Sequence, residues 1–438
     1  MKNLGLWSCA AFVAVFCVAM AIASPAQTFN VLVNFEGTDG EYPTSPPVQG
    51  LDGNFYGTTT LGGSASGDGT LFKVTPAGKL TTLYNFCSAD CADGAEPAEL
   101  VLSTDGNFYG TTSIGGANSS GTVFKITPQG ALTTLHTFCP TPLCADGAFP
   151  YAGLVIGTDG NFYGTTSRGA NDACEFDGYE GCGTVFRITP AGTLTTLHRF
   201  DRTDGAKPFT AMVQAADGDF YGTTAYGGRY NICEHGCGTI FKITAAGALT
   251  TLHNFTRYKG DGGHPFGGLV QATDGNFYGT AAQGGGDEHG NVYKFVFRSG
   301  RGTLTTLHEF DGTDGASPKG GLLQATNGSF YGASAYGGPG GADCSIYGCG
   351  TAFNLSVGLE PFVDTLPVSG KVGRSVTILG NDLMGASGVT FNGTAAVFKV
   401  ITNTEIKATV PVGATTGFVT VTTPSKTLKS NVDFRVTK

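Results

Sequence analysis

Apolar residues in this chain come in short runs, and the runs recur. Between Asp52 and Tyr331 a phrase close to Asp-Gly-Asn-Phe-Tyr-Gly-Thr-Thr returns six times, with its Tyr at Tyr56, Tyr109, Tyr163, Tyr221, Tyr278 and Tyr331. The period is 53 to 58 residues, a spacing that belongs to repeat architectures. Each unit carries four runs of strand length, rich in Val, Ile, Thr, Phe and Tyr. In the second unit they cover 99–103, 108–112, 122–127 and 132–138. Asp-Gly-Asn separates the first run from the second, and Pro-x-Gly or Ala-Ala-Gly the third from the fourth, as tight hairpins require. Beyond the N-terminal segment nothing keeps a 3.6-residue period, so the expected fold is all-β.

Four antiparallel strands per unit, six times over, predict a β-propeller with one sheet per blade. A solenoid is the alternative, and it requires distinct caps at both ends. The sixth unit stops after its third run, at 350–355, whereas residues 29–35 end in Asn34-Phe35 as a fourth run does. The leading segment is therefore expected to complete the sixth sheet and close the ring, which leaves no open edge. After Leu359 the repeat ends. Alternating runs near 372–380, 389–393, 406–411 and 417–421 then predict a small β-sandwich.

Three phrases return in fixed order: Asp-Gly-Asn-Phe-Tyr-Gly-Thr-Thr, Gly-Thr-Val-Phe-Lys-Ile-Thr-Pro and Leu-Thr-Thr-Leu-His-x-Phe. Together they resemble the GloVer (Gloeobacter/Verrucomicrobia) tandem repeat over residues 28–358. That resemblance implies an exported bacterial surface or periplasmic protein of the "choice-of-anchor" kind and brings no defined activity. A looser likeness runs to NHL and lactonase-type propellers. Residues 360–438 resemble the IPT/TIG immunoglobulin-like domain, which implies a spacer or adhesive module.

Lys2 precedes an apolar run from Leu4 to Ile22 and an Ala21-Ile22-Ala23 exit. Residues 1–23 thus read as a secretory signal peptide, with an uncleaved membrane anchor as the alternative. No later stretch is long and apolar enough to span a bilayer. Ten further cysteines fall into close pairs: Cys87 with Cys91, Cys139 with Cys144, Cys174 with Cys182, Cys233 with Cys237, and Cys344 with Cys349. In an exported chain such pairs read as disulfides. Zinc is the competing reading, strongest at 233–237, where His235 lies between two cysteines but only three candidate ligands are at hand. Only 13% of residues are charged and the formal charge is −9, which argues against nucleic acid as a partner.

The long, variable connections (167–182, 225–237, 281–289 and 333–349) share one propeller face with the cysteines. Binding concentrates on variable loops held by a rigid scaffold. Tyr179, Tyr230, His235 and Tyr347 are the expected contact residues, with a polysaccharide or a surface protein as partner. The competing view is that these loops merely tolerate insertion. On the same face Asp-Gly-x-x-Pro recurs at Asp39, Asp93, Asp146, Asp204, Asp261 and Asp314. Six carboxylates in a ring are candidate calcium ligands, although turn-building explains their presence in every unit and no cofactor is expected. His136, His198, His253 and His308 share one repeat position and are expected to pack. Lys73, Lys125, Arg187, Lys242 and Lys294 are expected to carry solvated heads. Gln214, Gln271 and Gln324 are expected to make the channel polar. No catalytic motif stands out. A propeller enzyme acting on an extracellular glycan or lactone, and a purely structural envelope protein, remain as alternatives.

Overall fold

The computed structural model describes residues 33–437, apart from 339–349 and short gaps at 44, 46, 51, 53, 64–66, 76, 88–89, 142, 171–173, 177–178, 231 and 259. The described residues are strands, turns and loops, with no helix. The expected signal peptide lies outside them.

Units one to five each form a sheet whose four main strands pair in chain order, and unit two adds a short strand, Ala95–Pro97. In unit four the strands are Val213–Gln214, Phe220–Thr224, Thr239–Ile243 and Leu249–Asn254. The Asp-Gly turns work as expected: Gly106 and Gly218 have φ of 80° and 86°, a conformation glycine adopts without steric cost. Unit six has three described strands, Leu323–Gln324, Phe330–Ser334 and Thr351–Leu355.

Aromatic rings join neighbouring sheets. The second-strand Tyr of each unit stacks on the Phe that opens the second strand of the next, from Tyr56–Phe108 to Tyr278–Phe330, with centroids 4.0–4.4 Å apart. At the outer edge the last Phe of each unit meets a third-strand ring of the next, as in Phe200–Phe241 at 5.3 Å. Phe35 makes the same contact with Phe72 at 5.0 Å, but among the described residues the leader forms no strand against Thr351–Leu355 and the sixth sheet has three strands. The rest of the expected closing strand, 29–32, lies outside the described residues. Among the described residues no ring stack or strand pairing joins units six and one. Tyr331 stacks on no ring among the described residues and is 40% exposed, and Leu323 is 66% exposed.

Residues 364–437 form the sandwich. One sheet orders Asp364–Leu366, Ser375–Leu379, Glu405–Thr409 and Phe398–Thr402; the other orders Thr394–Ala395, Gly388–Phe391, Val419–Thr422 and Thr427–Lys429. Val376, Ile378, Phe391, Ile406, Val419 and Phe434 fill the space between them. This domain docks on the short-turn face of the propeller. Phe362 N–H donates to Thr326 O (3.0 Å), and Asn381 Nδ2 donates to Thr326 Oγ1 (2.8 Å).

Candidate functional site

Each unit-to-unit loop on the opposite face is built the same way. The Asp of Asp-Gly-x-x-Pro accepts from the outer-strand side chain of the preceding unit. His136, His198, His253 and His308 lie 2.6–2.8 Å from Asp146, Asp204, Asp261 and Asp314, and Tyr84 OH donates to Asp93 at 2.7 Å. Backbone N–H groups bond the same carboxylates, as from Glu36 to Asp39 and from Asp201 to Asp204. These histidines therefore do more than pack: they also tie down the loop. Each Asp is engaged by its own loop or by the outer strand before it, which supports the turn-building role over convergence on a cation.

The residue just before the Pro of this motif is Tyr42, Glu96, Phe149, Lys207, His264 or Ser317, according to the unit. All six have φ between 49° and 58°, the left-handed region that non-glycine residues rarely enter. Backbone bonds on both sides hold them there. His264 N–H donates to Cys237 O (2.8 Å), and His264 O accepts from Ala282 N–H (3.2 Å). Lys207 is held likewise by Cys182 O and Ala225 N–H. The local main chain is thus identical around the ring while the side chain differs in every unit.

Two more positions vary in the same way. The residue after the Pro is Tyr151, Phe209, Phe266 and Lys319 in units three to six. The residue that leaves the second strand is Arg168, Tyr226, Gln283 and Tyr336 in the same units. These side chains touch. Tyr151–Phe209 and Phe209–Phe266 ring centroids are each 5.9 Å apart. Lys319 Nζ lies 5.9 Å from the Phe266 ring and 5.7 Å from Tyr336, and Tyr226 meets His264 edge-on at 4.9 Å. Beside them opens a cleft of about 450 Å³ lined by Tyr226, Glu234, His235, Arg257, His264, Phe266, Gln283, Ser317 and Lys319, among others. Concave sites that combine apolar walls with a few convergent polar groups are the usual form of a ligand pocket.

The cleft's charges are unequal in freedom. Arg257 Nε is paired with Glu288 at 2.6 Å, and His235 lies 3.8 Å from the exposed Glu234. Lys319 has no ion-pair or hydrogen-bond partner among the described residues. Only 5% of His264 is exposed. Its Nδ1–H donates to Ala225 O at 3.0 Å, which leaves Nε2 as an acceptor. Burial, aided by the Arg257 and His235 charges and opposed by the Ala225 carbonyl, holds its pKa below the usual imidazole value.

Of the expected contact residues, His235 lines this cleft. Tyr230 is exposed on the same loop but is not part of the lining. Tyr179 lies in the short strand Tyr179–Glu180, and its side chain is outside the described residues, as is all of Tyr347.

Four of the five expected cystines are present: Cys87–Cys91, Cys139–Cys144, Cys174–Cys182 and Cys233–Cys237. At 233–237 the two cysteines are joined to each other, as the disulfide reading expects. The fifth expected bridge is not among the disulfides of the described residues. Its two members, Cys344 and Cys349, both fall within 339–349, outside those residues. Two further expectations are corrected. Lys73, Lys125, Lys242 and Lys294 are paired with the Asp of the Asp-Gly turn rather than simply solvated. Gln214, Gln271 and Gln324 accept turn N–H groups of the preceding unit, from Thr158, Ala216 and Thr273, and so stitch blades together.

Tyr226, Phe266 and Lys319 were not singled out by sequence, and His264 stood out only as a histidine without a repeat position. Their signal was present as the letters that change inside an otherwise constant phrase. Glu99 was missed in the same way. It stands where other units have Gly153, Ala211, Gly268 and Gly321, and burial pushes its carboxyl up.

The Gloeobacter/Verrucomicrobia repeat family model matches residues 17–231 and 173–353, and the IPT/TIG domain model matches 361–436. No curated protein matches the chain in sequence. Among solved structures, a luciferin-regenerating enzyme is 12% identical with a TM-score of 0.44, over 74% of this chain and 94% of that one. The PQQ-bound aldose sugar dehydrogenase of Streptomyces coelicolor is 12% identical with a TM-score of 0.44, over 72% and 95%. A fungal alcohol oxidase in complex with copper is 13% identical with a TM-score of 0.38, over 91% and 98%. Likeness of this degree lends the chain no activity.

Proposed function

Because this chain belongs to the Gloeobacter/Verrucomicrobia repeat family and ends in an IPT/TIG domain, we propose that it is an exported envelope protein that binds its partner through the loop face of the propeller. One observation carries this reading. Three positions per unit escape the repeat, and six such residues of units four to six, Tyr226, His264, Phe266, Gln283, Ser317 and Lys319, line one cleft. Variation on a fixed backbone is how binding surfaces are made. The disulfides fit a compartment outside the cytoplasm, and they brace this face.

Retention of the purified protein on bacterial envelope fractions tests the proposal. Tyr226→Ala combined with Phe266→Ala is expected to abolish retention, while Lys125→Ala on the turn face leaves it intact. Retention that survives the cleft variant, or is lost only with the turn-face variant, moves the protein to a structural role.

A further inference from the structure

We propose that the loop face binds an acidic polysaccharide, its sugar rings lying along Tyr151, Phe209 and Phe266 and a carboxylate meeting Lys319. This rests on the binding role above and supplies its ligand chemistry. The row comes from one repeat position in four successive units, so its members follow one another around the face at a regular 5.9 Å. A regular row suits a ligand that is itself a repeating polymer. Tyr151 is 41% exposed, and Phe209 and Phe266 are half-buried with part of each ring accessible along the face. The electron-rich face of an aromatic ring attracts the electropositive C–H face of a pyranose. The adjoining cleft supplies donors and acceptors for hydroxyls through His264, Gln283 and Ser317.

Charge selects the class of sugar. The chain carries a net charge of −9, yet the row ends in a lysine with no ion-pair partner among the described residues. Lys319 rests over two aromatic rings, which stabilise a cation and leave it open to an incoming anion. A neutral glycan would gain only a hydrogen bond from this cation, whereas a uronate would add a charge-assisted pair.

Calorimetric titration of the whole protein with polygalacturonate, its fully methyl-esterified form and polyglutamate tests the idea. Polygalacturonate should bind, and esterification of the same backbone should weaken binding by about tenfold or more. Phe266→Ala should weaken both sugar polymers. Lys319→Gln should weaken polygalacturonate by about tenfold and leave the ester unchanged. Because Lys319 is exposed, that variant carries no folding risk. Equal affinity for acid and ester, or insensitivity to both substitutions, overturns the inference. So does polyglutamate binding as tightly as polygalacturonate, which would assign the face to acidic peptides. If no polymer binds while envelope retention persists, the ligand chemistry is wrong and the binding role stands. If retention fails as well, both fall.

Discussion

Units one to four and unit six place Phe72, Phe124, Phe186, Phe241 and Phe353 beneath the second-strand glycine, while unit five places Tyr293 there. The glycine is required by the ring: a Cβ on Gly222 would lie 2.5 Å from Phe241 Cζ. Tyr293 is fully buried and its hydroxyl has no hydrogen-bond partner among the described residues. Burying an unpaired hydroxyl is costly. Tyr293→Phe should therefore stabilise the protein by about 1 kcal/mol, read as a higher urea midpoint at unchanged slope; a lower midpoint would mean that the hydroxyl is bonded. A second residue-scale case is Asp105. Burial pushes its carboxyl up, but donors from Asn107, Lys125 and Tyr109 outweigh it and hold the pKa at about 2. A depressed carboxylate contributes stability above its unfolded pKa of about 3.9 and loses it as pH falls toward the folded value. The stability gap between the protein and Asp105→Asn should accordingly be full at neutral pH and close between pH 4 and 2. A gap that stays constant across that window refutes the assignment.

At the scale of elements, strands were readable because their signals are local: runs of five or six residues, bounded by Asp-Gly and Pro-x-Gly, with glycine where a ring crosses. The loops were only half readable. Their main-chain design is local too, but a loop's partners sit about a unit away in sequence. No spacing rule announces that Cys237 O receives His264 N–H, or that Cys182 O receives Lys207 N–H. The cystines therefore do more than shield their loops from proteases, because they anchor the backbone that aims the cleft residues. Closing loops this short adds about 2 kcal/mol each in the chain-entropy model, so global stability should fall modestly in a Cys233→Ser, Cys237→Ser double variant. Protection of the His264 amide against hydrogen exchange should fall much further. If its loss does not exceed the global one, the cystine does not support the cleft.

At the scale of the molecule, the immunoglobulin-like domain occupies the short-turn face through Thr326, which leaves the variable face unobstructed. Repeat count and strand order were legible from the sequence, since each unit restates them. How the first and last units meet was not, because it depends on how small twists add up from unit to unit. Five seams bury a Tyr–Phe stack at 4.0–4.4 Å; the sixth leaves Tyr331 and Leu323 substantially exposed. Exposed strand faces with few packed neighbours open most readily. Amides of Phe330–Ser334 and Thr351–Leu355 should therefore exchange well before those of Phe162–Thr166 and Phe220–Thr224, whose second strands are buried throughout. Their protection should rise when residues 29–35 are covalently tied to the sixth unit, for instance by a cystine engineered between the two segments. Equal exchange across all six units would mean that the leader already closes the ring as firmly as one blade closes on another, and that the seam is no weak point.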